Sequence, residues 1–364
     1  MRHVWQSKMA IDRAVIRVIQ LTPPGRGAVA TLRVEGPGAV EAVQTRFHAR
    51  DGKPLTTHSA DRLVVGRFDG EEVVLRCRGE DTVELHCHGG TAAVSMIEES
   101  LVSAGCRRVA WRDWIADSLE DRIAADALFA LADARTERTA AILLDQHQGA
   151  LGREMEEIRR AINYGDASAA RQWIDALLGR AELGRHLVRP WSVVLAGRPN
   201  VGKSSTINAL AGYARAIVHY APGTTRDAVT LTTAIDGWPV ELCDTAGLRE
   251  ESDGVEQAGI ELAKQRLSHA DLAVLIFDRS EPWSDDDQAL VKKWPGAVLV
   301  HNKCDLPAAP GDRPAGLSIS ALAGGGIAAL LETISRHLVP DPPPLGAAVP
   351  FTVEQVETVR RLSE

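Results

Sequence analysis

Gly197-Arg198-Pro199-Asn200-Val201-Gly202-Lys203-Ser204 is a G-x-x-x-x-G-K-S stretch. The apolar run Ser192-Val193-Val194-Leu195-Ala196 leads into it, and Ser205-Thr206-Ile207-Asn208-Ala209-Leu210 leads out as a helix start. That strand–loop–helix context separates a phosphate loop from a chance glycine-rich turn. The glycines let the backbone turn its N–H groups inward onto phosphate oxygens, so Val201, Gly202 and Ser205 join the nucleotide-facing segment. Lys203 reaches the β- and γ-phosphates, and the Ser204 hydroxyl is placed to ligate Mg2+. From Trp191 to Leu338 strand and helix patterns alternate. This predicts an α/β fold with a doubly wound, mostly parallel sheet.

Four further signals follow in order. Pro222-Gly223-Thr224-Thr225-Arg226-Asp227 offers hydroxyls in a loop, with Thr225 the choice for a second Mg2+ ligand. Asp244-Thr245-Ala246-Gly247 ends the apolar strand Val240-Glu241-Leu242-Cys243. There the carboxylate can hold a Mg2+-bound water, and the glycine N–H can meet the γ-phosphate. Asn302-Lys303-Cys304-Asp305 follows the strand Ala297-Val298-Leu299-Val300. The Asp305 carboxylate can accept from the ring N–H and the exocyclic amine of guanine, a pair that adenine lacks, and a site built so rejects the analogue strongly. Ser320-Ala321-Leu322 supplies a last loop beside the base. Each signal is weak alone; together they imply a GTPase domain binding GTP and GDP.

Bulk properties bound the rest. The 364 residues are enough for two or three domains, and 45% hydrophobic with 25% charged residues is ordinary for a globular chain. A net charge of −8 excludes a wholly basic polyanion-binding module. The five cysteines lack C-x-x-C spacing, which argues against a zinc finger or a disulfide framework. No apolar run has signal-peptide or membrane-spanning length, so the expectation is a cytoplasmic protein with no membrane contact.

Residues 1–117 read as a compact α+β domain, with strands at 13–20, 28–34, 62–68, 71–77, 82–88 and near 107–111, and a helix at 91–104. In His86-Cys87-His88 the two imidazoles share a strand face and could meet one ion, although a strand end before the Gly89-Gly90 turn explains them as well. Trp111 and Trp114 read as packing residues. Residues 118–190 are rich in Ala, Leu, Arg and Glu with helical periodicity, and three helices are expected, broken near Gly149-Gly152 and Tyr164-Gly165-Asp166. The GTPase domain is set at 191–338. Residues 339–364 hold a proline-rich linker, Pro340 to Gly346, and a short helix from Val353 to Leu362.

Leu248 follows the Asp-x-x-Gly segment where Ras-like proteins carry a water-orienting glutamine. Leucine cannot hold water, and Glu256 is the candidate replacement, against the plain alternative of a solvated helix-start glutamate.

Several segments resemble the tRNA-modification GTPase family MnmE (TrmE). They are Thr22-Pro23-Pro24-Gly25-Arg26-Gly27, Leu32-Arg33, Gly36-Pro37, Glu80 to Gly90, Gly223-Thr224-Thr225-Arg226-Asp227 and Asp244 to Glu250. The resemblance implies a homodimer whose N-terminal domain binds a formyl-tetrahydrofolate, with Arg33 and Glu84 at folate-contacting positions. It implies a helical domain interrupted by the GTPase domain, and K+-stimulated hydrolysis with Asn200 holding K+. It gives Glu256 the water-orienting role, and names tRNA wobble uridine as the target and MnmG, an FAD protein, as the partner. The resemblance is to a shortened, diverged member with a reduced helical domain. Trp111 to Ser118 stands where the family has Pro-Gly-Glu-Phe and a folate-contacting lysine, and the family's terminal Cys-Ile-Gly-Lys has no counterpart before Glu364. The alternative is a GTP-gated switch that binds RNA, a ribosomal particle or a protein without modifying tRNA.

Overall fold

A computed structural model describes residues 15–25, 27–213, 230–244 and 270–363 of the chain. It divides into two units, Met1–Arg122 and Ile123–Glu364.

The first unit is built on a seven-stranded sheet in the order β3-β4-β5-β6-β2-β1-β7. Its elements are β1 (Arg17–Gln20), β2 (Val29–Glu35), helix α1 (Ala39–Gln44), β3 (Phe47–Ala49), β4 (Leu63–Phe68), β5 (Glu71–Cys77), β6 (Thr82–His88), α2 (Thr91–Ser103), β7 (Arg107–Arg108) and α3 (Trp111–Ser118). Period-two alternation decides which side chains are inside. Ala30, Leu32 and Val34 of β2, with Val83, Leu85 and Cys87 of β6, join a core closed by Val40 and Val43 of α1 and Ile97 and Leu101 of α2. Arg33 and Glu84 stand on the opposite face, directly paired across the ladder. The β4–β5 hairpin turns on Asp69 and Gly70, both at positive φ (47° and 94°), the conformation a two-residue turn needs to match strand twist.

The second unit opens with α4 (Arg122–Asp133), α5 (Glu137–His147), α6 (Ala150–Asn163), α7 (Ala167–Gly179) and α8 (Ala181–Arg185). These are five helices where three were expected. Thr136 adds a break by capping α5 through the Thr139 N–H, and Arg180 ends α7 one residue before α8 begins. Leu151, Met155 and Ile158 of α6 pack on Ile174 and Leu177 of α7.

A six-stranded sheet follows in the order β13-β12-β11-β8-β10-β9. The strands are β8 (Trp191–Ala196), β9 (Thr230–Ile235), β10 (Trp238–Asp244), β11 (Leu272–Asp278), β12 (Val298–Asn302) and β13 (Leu317–Ser318). All neighbours are parallel except β9 and β10, which turn on Asp236 and Gly237 at φ 50° and 78°. The sheet is apolar on both faces because helices cover both. Val193, Leu195, Val274 and Ile276 meet α9 (Lys203–Tyr213) and α11 (Ile327–Leu338). Val194, Ala196, Leu275 and Phe277 meet α10 (Asp285–Lys293). This is the doubly wound arrangement expected of the motif order.

Residues beyond α11 return to the helices at the start of the unit. Buried Gln146 donates to the Ala347 carbonyl (3.0 Å) and accepts from the Val349 N–H (3.1 Å), while Arg180 donates to the Ala348 carbonyl (3.0 Å). Val359 of α12 (Val353–Arg361) joins the α6–α7 core. Among the described residues, no helix is long and apolar enough to cross a membrane.

Candidate nucleotide site

The phosphate loop lies between the end of β8 and the start of α9, the carboxyl edge of a parallel sheet where open α/β folds bind ligands. Its backbone takes positive φ at Gly197 (154°), Asn200 (62°) and Gly202 (96°). Gly202 is required twice over. Its φ suits glycine, and a Cβ there would stand 2.2 Å from the Asn302 side-chain nitrogen. That nitrogen donates to the Val201 carbonyl at 2.9 Å, and the Asn302 oxygen accepts from the Ala321 N–H at 3.0 Å. Asn302 therefore ties the phosphate loop to the last base-side loop through one buried amide.

Lys203 is buried, and its ammonium donates to the Gly197 (3.1 Å) and Arg198 (2.8 Å) carbonyls. It spans the loop at the point where phosphates would lie. Ser204 donates to Asp244 at 2.5 Å, so two hard oxygen donors meet at the head of α9. A hydroxyl and a carboxylate at that spacing fit Mg2+ by donor type. Asn200 is exposed at the tip of the loop, as is Ser205 on the first turn of α9.

At the base side, Lys303 takes φ 64° and its ammonium meets Asp278 at 2.5 Å. Asp278 also accepts from the Ser280 N–H (2.9 Å) and hydroxyl (2.6 Å). Burial alone would raise the Asp278 carboxyl; the hydrogen bonds from Lys303 and Ser280 outweigh it and hold it below the ordinary carboxylate range. Asp305 and Leu322 are exposed, Leu322 at 92%, while Ser320 is buried and caps its own loop by accepting from the Ala323 N–H at 2.9 Å. Asp278 was missed from the sequence, although a carboxylate closing the apolar strand Leu272–Phe277 was a signal for it. The Asn302 brace had no local signal. Gly223, Thr224, Thr225, Thr245, Ala246, Gly247 and Glu256 lie outside the described residues.

In the first unit Arg33 and Glu84 belong to a polar network. Arg33 pairs with Glu35 (3.0 Å) and lies 4.0 Å from Glu84, its guanidinium 5.2 Å from the Trp114 ring centroid. Glu35 also accepts from Arg17 (2.6 Å) and the Trp114 indole (2.7 Å), and Glu84 from Arg78 (3.1 Å). Trp114 thus packs on an arginine, outside the apolar core. His86 and His88 separate, His86 to Thr31 at 2.9 Å and His88 to the Glu71 carboxylate. Burial, with the Glu71 charge, pushes the intervening Cys87 thiol up to about 11, which disfavours a thiolate ligand.

Sheet, phosphate loop and guanine-side amide together define a P-loop domain of the GTPase class. Two family models match the chain, one described as a 50S ribosome-binding GTPase over residues 192–303 and one as the GTP-binding protein TrmE N-terminus over 18–111. The tRNA modification GTPase MnmE of Synechococcus sp. (strain CC9605) is 33% identical over 365 residues, covering 88% of this chain and 80% of the relative. The protein of that name from Chloroflexus aurantiacus is 35% identical, over 87% and 80%. The G domain of the T. maritima FeoB iron transporter is 27% identical, covers 41% of this chain and 99% of its own, and superposes with a TM-score of 0.31. The chain belongs to the MnmE (TrmE) family of tRNA modification GTPases.

Proposed function

We propose that this chain hydrolyses GTP and couples that cycle to modification of the tRNA wobble uridine, acting in the cytoplasm. The observation that carries the reading is the Asn302 brace, which fixes a phosphate loop and a guanine-side loop in one rigid frame. Bound between them, the nucleotide would place its phosphates against the loop N–H groups and Lys203. These stabilise charge that grows on the β- and γ-oxygens as the bond to the leaving diphosphate breaks. Val201 to Ser205 supply the N–H groups, and Asp305 accepts from guanine beside Lys303 and Ser320 to Leu322. Ser204 and Thr225 would hold Mg2+, with Asp244 holding a water bound to it; the ion would neutralise phosphate charge. Asn200, an exposed amide at positive φ, fits a monovalent cation and would hold K+. Gly223, Thr224, Thr245, Ala246 and Gly247 would close on the γ-phosphate, and Glu256 would orient the attacking water that Leu248 cannot hold.

On the first unit, an arginine, a carboxylate and an indole on one sheet face are a donor set that fits a flat, amide-bearing ring such as the pterin of formyl-tetrahydrofolate, with Arg33 and Glu84 in contact. A homodimer and an MnmG-like FAD protein complete the proposal, with domains at 1–117, 118–190, 191–338 and 339–364. Mass spectrometry of tRNA nucleosides from cells lacking the gene tests it. The modified wobble uridine should disappear and return with the wild-type gene, but not with Lys203→Ala. Unchanged nucleosides, in cells without a second family member, would contradict the role in modification and leave a GTP-gated switch.

A further inference from the structure

Glu182, in the first turn of the short helix α8, and His186, the residue that follows the helix, are four apart and face the same way, toward the start of β11. There they meet Asp271. His186 Nε2 lies 3.5 Å from one Glu182 oxygen and 3.7 Å from one Asp271 oxygen, and the three donor atoms all fall within 4.8 Å of one another. We propose that Glu182, His186 and Asp271 form a Zn2+-binding site that pins the end of α8 to the head of β11, independent of the nucleotide site.

Four observations make this more than a group of acids. The His186 ring is 5% exposed, and its Nδ1–H donates to the Arg189 carbonyl at 3.2 Å, so Nε2, the nitrogen that faces the carboxylates, is the one left to bind an ion. A ligating histidine is commonly held by such a second bond. The ring is further fixed by stacking on Trp191, centroids 3.6 Å apart and planes 12° apart. Each carboxylate has one oxygen already committed and the other turned inward. Asp271 accepts from the Ser192 N–H at 2.6 Å through Oδ2 and presents Oδ1, while Glu182 meets Arg185 through Oε2 and presents Oε1.

The spacing also suits the ion. Ligands about 2.0–2.1 Å from a tetrahedral Zn2+ stand about 3.3 Å from one another; the two distances from His186 Nε2, 3.5 and 3.7 Å, are already near that value, and the two carboxylate oxygens, within 4.8 Å of each other, close the rest by side-chain rotation. One neutral imidazole and two carboxylates balance a divalent charge and leave a position for water. The imidazole favours Zn2+ over Mg2+ or Ca2+, which prefer all-oxygen shells. The Glu182 side chain, 54% exposed, leaves an entry path.

The test is titration of the nucleotide-free full chain with Zn2+ against a chromophoric chelator, beside Glu182→Gln, Asp271→Asn and His186→Gln, with circular dichroism as the check on folding. The expected result is one Zn2+ equivalent in the wild type that His186→Gln loses and the carboxylate variants bind at least ~10-fold more weakly. That equivalent should raise the thermal midpoint of the wild type alone, since an ion that binds only the folded state stabilises it. If His186→Gln does not fold, the two carboxylate variants decide. No uptake by the wild type, or uptake unchanged in Glu182→Gln and Asp271→Asn, as binding by cysteines elsewhere would give, overturns the proposal.

Discussion

Asn302 shows how much one side chain can carry. Its buried amide satisfies the Val201 carbonyl and the Ala321 N–H, and removing it strands both groups. Asn302→Ala should cost about 1–3 kcal/mol of stability, the usual penalty for stranding buried polar groups, and weaken GTP binding more than tenfold. Denaturant midpoints and fluorescent-nucleotide titration check the two parts. His301, one residue earlier, is a second case. Burial first, then the neighbouring Arg313 and Arg279 charges, pull its pKa below the ordinary 6.5, and its Nε2 lies 2.9 Å from the Pro314 carbonyl. The unfolded chain therefore takes up a proton near pH 6.5 that the folded chain refuses. Stability should be complete above that pH and fall as pH drops through it, levelling off below the folded value. Denaturation at pH 8, 6 and 5 should show the decline, and His301→Gln, which can still donate to Pro314, should flatten part of it. The sequence made Gly202, Lys203, Ser204 and Asn302 legible because they sit at fixed spacing in motifs. It hid the partners of Asn302 and the role of Asp278, because those depend on which strands end side by side.

Elements were legible where a period ran uninterrupted. The strands expected at 28–34, 62–68, 71–77, 82–88, 192–196, 240–243 and 297–300 fall within two residues of β2, β4, β5, β6, β8, β10 and β12, whereas the short β3 and β13 carried no pattern long enough to read. In the helical stretch the breaks expected near Gly149 and at Tyr164-Gly165-Asp166 are present, with Gly149 and Asp166 at the N-caps of α6 and α7, whereas the start of α5, capped by Thr136, has no glycine or proline to announce it. The Asp69-Gly70 and Asp236-Gly237 turns were strong local signals that strand patterning alone did not use. Helix α10 gives a test at this scale. Ser284 and Asp287 form a reciprocal capping box, with three aspartates in the first turn facing the positive end of the helix dipole. Ser284→Ala should cost roughly 1 kcal/mol, read from the urea midpoint, with little effect on GTP affinity.

For the molecule as a whole, the return of residues 346–362 onto α5, α6 and α7 closes the second unit, and no local pattern foretold which helices the segment would meet. Gln146 is the hinge pin of that closure, joined to its own helix at Ile142 and to Ala347 and Val349. Gln146→Ala should cost about 1–3 kcal/mol and raise amide hydrogen exchange across 346–362 while leaving the sheet from β8 to β13 protected. Equal deprotection of the sheet would mean that the returning segment and the nucleotide domain unfold as one.

Asp305 and the braced phosphate loop make this chain a guanine-nucleotide enzyme. The most direct measurement is hydrolysis of GTP, ATP and XTP by the purified chain and by Asp305→Asn, with Mg2+ and K+ present. A carboxylate pairs with the two N–H donors of guanine, whereas an amide can donate to the extra carbonyl of xanthine. The wild type should therefore hydrolyse GTP with at least ~10²-fold preference over ATP, and the variant should move that preference to XTP. Equal use of ATP by the wild type, or a variant that keeps its GTP preference, would contradict the assignment.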